Sequence, residues 1–288
     1  NGVVRMPDGF VECHKQYVES GWGSITGESK YGGQNLPWTV GIAVSEMWQA
    51  ANMALANAWM LTQGAIEAIQ VHGTAEQKAT YLPKLISGEW SGTMNLTEPN
   101  AGSDVGALKT KAVPKDGAWR ISGTKIFITH GDQDMTENVI HLVLARTPGA
   151  PEGTKGISLF IVPKFNVEQT GKLGTRNDLR VVSLEHKLGH MASPTAVMSY
   201  GDNDGATGFL LGDENQGMAC MFTMMNNARL NVAVQGLAIA ERSYQAARLW
   251  AKERVQGNDI SQKSHEKVTI VQHPDVRRML MDMRCQTE

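Results

Sequence analysis

Apolar residues follow a helical spacing in roughly the first third of the chain, alternate through its middle, and return to a helical spacing near its end. Phe10, Cys13, Tyr17 and Val18 fall on one side of a helix over 8–20, because residues three and four apart share a helix face. Gly21, Gly23 and Gly27 then break it. Met47, Ala50, Ala51, Ala54, Ala58, Leu61, Ala65 and Ile69 predict a long helix or a broken pair over 38–71. Its many alanines suggest close helix–helix packing, and Met47, Met53 and Met60 read as core filler. Gly73 reads as the residue just past the helix end. Thr74-Ala75-Glu76-Gln77 reads as a capping box opening the next helix, which buries Tyr81, Leu82, Leu85 and Ile86 and stops at Ser87-Gly88.

From residue 92 the period changes to two. Strands are predicted at 92–97, 107–113, 118–129, 139–146, 156–163, 179–186 and 195–201, separated by turns such as Lys115-Asp116-Gly117 and Gly201-Asp202-Asn203-Asp204-Gly205. The short spacing leaves no room for crossover helices between most of them. It predicts an antiparallel barrel or two packed sheets rather than a doubly wound nucleotide fold. Helical spacing resumes near Asn215 and runs to about Arg254, with a loop at 256–259 and a last helix over 275–287 behind Pro274. The expected class is α+β: helices over 1–91, a β domain over 92–213, and helices over 214–288.

Composition narrows this picture without deciding it. A net charge of −2 over 288 residues carries no basic stripe for nucleic acid. The most apolar helix contains Asn52, Asn57 and Trp59, too polar to predict a membrane span. Cys13, Cys220 and Cys285 are far apart, with no CxxC, which points to a reducing, cytoplasmic setting. His186 and His190 are four apart but have no third ligand in view, so no metal is expected. No G-x-G-x-x-G follows a strand and no P-loop occurs. The chain starts at Asn1 and stops within a helical pattern at Glu288, which reads as a piece of a longer protein.

One stretch stands out chemically: Met94-Asn95-Leu96-Thr97-Glu98-Pro99-Asn100-Ala101-Gly102-Ser103-Asp104-Val105-Gly106. Pro99 ends a strand, since it has no N–H for a ladder. The residues after it turn easily and can leave N–H groups uncovered, with Gly102 permitting a positive φ and close approach of an anion. On composition alone the favoured reading is a tight connection with Asp104 capping a turn. LTEPNAGSDVGA, however, resembles the first signature of the acyl-CoA dehydrogenases. Tyr31-Gly32-Gly33-Gln34-Asn35-Leu36-Pro37, HGTAEQKATYLPKLISGEW and Lys125-Ile126-Phe127-Ile128-Thr129-His130-Gly131 resemble further segments of that family. The flavour is that of its long, 3-methylmercaptopropionyl-CoA dehydrogenase-like branch.

The resemblance implies FAD as cofactor and an acyl-CoA as substrate. It places Met94, Leu96 and Thr97 at the flavin ring, Gly102 and Ser103 at the pyrophosphate, and Ser103 also at the substrate thioester arm. Phe127, Ile128 and Thr129 belong to the second flavin segment, where Phe127 and His130 replace the usual Trp and Asn. Ser193, in Ser193-Pro194-Thr195, and Asn226 with Arg229 are implied on the substrate side, although Met191 stands where Arg is frequent. Arg254 matches an arginine that reaches a neighbouring subunit's FAD. Glu98 reads as tying down the turn rather than as a base. Ala228 stands where some branches carry the base, so no catalytic base is expected in this chain; it is expected beyond Glu288. The activity implied is oxidation of an acyl-CoA to the 2,3-enoyl-CoA, with electrons passed to an electron-transfer flavoprotein, by a homodimer or homotetramer. A related flavoprotein oxidase, or a non-catalytic binding protein on the same frame, remains as an alternative.

Overall fold

A computed structural model describes residues 3–168, 171–260 and 266–288. The helices are α1 (Phe10–Glu19), α2 (Trp38–His72), α3 (Ala75–Ser87), α4 (Gly217–Glu253) and α5 (Pro274–Thr287). The strands are β1 (Trp90–Asn95), β2 (Lys111–Lys115), β3 (Ala118–Thr129), β4 (Asn138–Ala145), β5 (Ser158–Pro163), β6 (Phe165–Val167), β7 (Leu173–Arg176), β8 (Leu179–Leu184), β9 (Thr195–Tyr200), β10 (Ala206–Leu210), β11 (Val255–Asn258) and β12 (Lys267–Thr269). By compactness the chain divides into two units, Asn1–Gly41 with Ala54–Leu230, and Ile42–Met53 with Asn231–Glu288.

In the first unit a curled sheet runs in the order β1-β4-β5-β10-β3-β9-β8, with β2 added on β3. One side of this unit is a core of Leu61, Ala65, Ile69, Leu82, Leu85, Ile86, Trp90, Leu142 and Met221, drawn from α2, α3, β1, β4 and α4. A second core, with Ile121, Ile128, Val143, Phe160 and Met198, lies among the strands, with Val4 of the N-terminal segment added to it. Small residues of α2, one alanine and one glycine, serve two close approaches. A Cβ built on Gly92 of β1 would lie 2.3 Å from Ala65 Cβ, so strand and helix backbones nearly touch. One built on Gly64 would lie 2.9 Å from Met224 of α4. The expected helix–helix packing is therefore joined by a strand–helix contact that the helical period could not reveal.

Several expectations change on contact with the structure. The sheet is not wholly antiparallel: β1 and β4 pair parallel, from Trp90 opposite Asn138 to Asn95 opposite Val143. The long excursion through β2 and β3 supplies the crossover that a parallel pair requires. The strands β6, β7 and β10 and the β11–β12 hairpin were not foreseen. They are three to five residues long, too short to show a period, and exist through their partners. Asp178 helps place β10, accepting from the N–H groups of Asn203, Asp204 and Gly205 at 2.9–3.1 Å and so closing the turn ahead of it. Helix α2 is broken at Asn52 (φ −155°, ψ 92°). Beyond the break Ala54, Ala58, Leu61, Ala65 and Ile69 are buried, whereas Met47 is 64% exposed and is not core filler. Gly73 has φ −74° rather than a left-handed backbone. It is needed for closeness instead, since a Cβ there would meet Ile69 O at 2.5 Å.

In the second unit Arg242 donates to the carbonyls of Ala50 (2.5 Å) and Ala51 (3.3 Å), just ahead of the break at Asn52. A cation at a helix C-terminus also suits the helix dipole. Pro274 opens α5 as expected.

The capping box at α3 is complete. Thr74 Oγ1 accepts from Gln77 N at 3.1 Å and Gln77 Oε1 accepts from Thr74 N at 3.0 Å. Thr74→Ala is expected to lower the free energy of unfolding by about 1 kcal/mol, and Thr74→Asn by much less; urea denaturation of both variants checks this.

Candidate functional site: the turn after β1 and the bulge of β3

The turn after β1 is assembled on one buried carboxylate. Glu98 is 4% exposed. Its Oε1 accepts from Thr110 N (3.1 Å), Thr110 Oγ1 (2.5 Å) and Lys125 Nζ (2.8 Å), and its Oε2 from Lys109 N (2.6 Å). Lys125, wholly buried, also donates to the Leu96 carbonyl at 2.9 Å. Burial works against ionisation of Glu98, but Lys125 and the surrounding donors outweigh it and hold the carboxyl below its ordinary value. Burial draws the Lys125 ammonium down, with Glu98 opposing. A carboxylate already holding four donors has little capacity left for a substrate proton, which fits Glu98 as a tie.

Past Glu98 the backbone closes on itself: Glu98 N donates to Ala101 O and Ala101 N to Glu98 O, each at 3.0 Å. Gly102 and Ser103 are then exposed. Gly102 does not use a positive φ, contrary to expectation. Its missing side chain instead leaves open space, with only Thr97 Cγ2 at 4.0 Å from where a Cβ would stand. Arg146 fixes the far side of the loop, donating to the carbonyls of Leu108 (3.1 Å), Gly106 (2.5 Å), Pro151 (2.9 Å) and Gly153 (2.7 Å).

Strand β3 changes register against β9 between Lys125 and Ile128. Lys125 and Ile128, three apart, both face inward, so a bulge has inserted one residue into the alternation. Phe127 is thereby pushed outward, 58% exposed, at φ +61°. A left-handed backbone on a bulky residue costs roughly 1–3 kcal/mol. His130 follows at φ +51°. Two strained residues so close together, one presenting a bare aromatic ring, mark a place shaped for something other than stability.

Backbone hydrogen bonds join the segments here. Ile126 N donates to Thr97 O at 2.9 Å, and His130 N to Pro194 O at 2.7 Å. Thr129 lies opposite Thr195. Lys187 Nζ donates to Ser193 O at 2.6 Å. Two buried polar atoms here have no protein partner: Ser193 Oγ and His130 Nδ1. His130 Nε2 lies 3.1 Å from Ala54 O, so Nε2 carries the proton and Nδ1 is an unused acceptor. Burial pulls His130 down to about 4, which keeps it neutral.

The chain matches the acyl-CoA dehydrogenase N-terminal domain over residues 5–89 and the middle domain over residues 93–203. The chain belongs to the acyl-CoA dehydrogenase family. It is 53% identical to 3-methylmercaptopropionyl-CoA dehydrogenase of Ruegeria pomeroyi over 100% of its own length and 49% of that protein's. Among solved structures it resembles a chain of the electron transferring flavoprotein structure of Acidaminococcus fermentans, with a TM-score of 0.81 and 28% identity over 96% of this chain and 67% of that one. It also resembles butyryl-CoA dehydrogenase of Megasphaera elsdenii, with a TM-score of 0.79 and 25% identity over 96% of this chain and 67% of that one. The chain spans about half the length of the curated relatives it matches.

Within this acyl-CoA dehydrogenase chain the site residues named from sequence fall into groups. Met94, Leu96, Thr97 and Thr129 are half-buried, and Gly102, Ser103 and Phe127 are exposed. All lie on the connected segments just described. The Ile128 side chain is 2% exposed and belongs to the strand core, which leaves only its backbone for a ligand. Ser193 is 1% exposed, with its hydroxyl unpartnered. Asn226 and Arg229 stand on an exposed face of α4. There Arg229 donates to Asn226 Oδ1 at 3.0 Å and lies over the Phe222 ring at 5.2 Å. Arg254 is exposed in the second unit, donating to Gln256 Oε1 at 3.3 Å. Arg146 and Lys187 shape the site and were missed from sequence, and Lys125, quoted there only as the start of a family segment, was given no role. A lone Lys or Arg in a strand or loop carries no sign of which carbonyl it will reach.

Two outcomes are expected. Phe127→Gly should leave stability nearly unchanged despite the loss of an aromatic ring, because relief of the positive φ offsets the added chain entropy; thermal melting of the variant checks this. His130 protonates near 6.5 when unfolded and near 4 when folded, so its contribution to stability is present above about pH 6.5 and is lost as pH falls toward 4. The slope is at most about 1.4 kcal/mol per pH unit. His130→Asn should flatten that fall, read by urea denaturation at pH 7 and pH 5.

Proposed function

We propose that this chain is the flavin-binding part of an FAD-dependent acyl-CoA dehydrogenase that forms a 2,3-enoyl-CoA. The observation that carries the reading is the strained, outward Phe127 bonded through its neighbours to the Thr97 turn and the Ser193 turn. The bare Phe127 ring and the open approach over Gly102 suit a large ring system with a phosphate arm. The residues that would hold FAD are Thr97 and Thr129 as donors, Phe127 as an apolar cover, and Gly102 and Ser103 on the phosphate side. Arg254 would serve a second subunit of a homodimer or homotetramer. Bound there, FAD would supply a hydride acceptor. The protein's share is to orient the ring and to keep water from it, which the buried, neutral His130 and the buried Ile128 assist.

On the substrate side we assign Ser103, Ser193, Asn226 and Arg229, the last as a fixed cation. No base is assigned within residues 1–288: Glu98 is fully engaged and Ala228 cannot accept a proton. Passage of electrons to an electron-transfer flavoprotein is supported by the likeness to a chain of such a structure. A cytoplasmic location is part of the proposal. The three cysteines are free, and among the described residues no helix is long and apolar enough to cross a membrane.

Anaerobic titration of the purified full-length protein with acyl-CoAs of graded length tests the reading. Bleaching of the visible flavin band by one chain class is the expected outcome. Bound flavin that no acyl-CoA reduces would remove the reaction, and rapid oxygen consumption without an added acceptor would make the protein an oxidase.

A further inference from the structure

The buried pair of Lys125 and Glu98 is more than the turn needs for its own satisfaction. Glu98 already accepts from Lys109 N, Thr110 N and Thr110 Oγ1. Replacing a buried ion pair by apolar groups of similar size is often neutral or stabilising, so packing alone does not ask for an ammonium here. What Lys125 adds, and no neighbour duplicates among the described residues, is the 2.9 Å bond to the Leu96 carbonyl. In a planar trans peptide the C=O of one residue and the N–H of the next point in opposite directions. Drawing the Leu96 carbonyl inward toward Lys125 therefore turns the Thr97 N–H away from it. The next carbonyl, Thr97 O, is drawn to Ile126 N at 2.9 Å, so both peptide planes flanking Thr97 are set from β3. Thr97 is half-buried, and its carbonyl is bonded to the residue just before the exposed Phe127.

We infer that Lys125 is a positioning residue: through the Leu96 carbonyl it aims the Thr97 N–H outward as a fixed hydrogen-bond donor to the flavin ring. The inference rests on the flavin reading given above. It also accounts for a fully buried lysine beside the first signature segment, where the charge touches no ligand.

The test pairs two variants of the full-length protein. Lys125→Met combined with Glu98→Gln removes both charges and leaves no lone buried ion. The flavin-stripped double variant is expected to melt within a few degrees of wild type, to bind FAD about tenfold more weakly, the weight of one net hydrogen bond, and to show a shifted visible flavin band. Lys125→Arg keeps a cationic donor and should bind FAD more like wild type than like the double variant. An unchanged FAD affinity and band in the double variant overturns the inference. Should that variant not fold, residue-resolved hydrogen exchange on the wild-type protein decides. The Thr97 amide should exchange rapidly without FAD and be protected with it; protection already present without FAD overturns the inference. Wild-type protein that binds no FAD would instead overturn the flavin reading itself, a result distinct from an insensitive double variant.

Discussion

The buried ion pair between Lys125 and Glu98 is the constraint on which the site depends. Two opposite charges have been taken out of water in a place where each is satisfied by further bonds, Lys125 to Leu96 O and Glu98 to Lys109 and Thr110. Those bonds hold together three stretches far apart in sequence: the end of β1, the approach to β2 and the bulge of β3. A pair of this kind adds little net stability. What it supplies is geometry, because breaking either half leaves an unpaired buried charge and so few alternative arrangements of the turn are accessible.

Strain is concentrated around the same place. The bulge that lets Lys125 point inward pushes Phe127 outward on a left-handed backbone, and His130 repeats that conformation shortly after. The surrounding frame holds both in place: His130 is gripped from its backbone by Pro194 and from its ring by Ala54. Beneath lies a further buried polar chain, in which Tyr200 donates to Asn95, Asn95 to Thr93, and Thr93 meets His141. It occupies the β1 residues that alternate with Met94 and Leu96. One side of β1 is thereby fixed by polar bonds while the other supplies half-buried apolar residues to the site.

How legible this was depends on the signal. The capping box at Thr74 and Gln77 was readable because both halves lie within one helical turn. The long helices were readable because five of the buried positions of α2, from Ala54 to Ile69, keep a helical period. The parallel pairing of β1 with β4 was not readable, since a strand's own alternation says nothing about the direction of its neighbour. Neither was the exposure of Met47, which shares the helical spacing of Ala54 but falls on the other side of the break at Asn52. The site was legible chiefly through motif resemblance. Thr97 and Thr129 are unremarkable strand-end residues until the bond from Ile126 to Thr97 draws their segments together.

The sequence by itself determined the family, the order of helices, strands and helices, the capping box of α3 and most turns, all of which rest on contacts between near neighbours or on motifs carried whole in one stretch. The tertiary structure alone decided which side chains face the site. Phe127 and Ile128 are adjacent, apolar and indistinguishable by pattern, yet one is bare to solvent and the other lies in the core. A single inserted residue in the ladder separates them, and ladder register is a property of two strands rather than of either sequence.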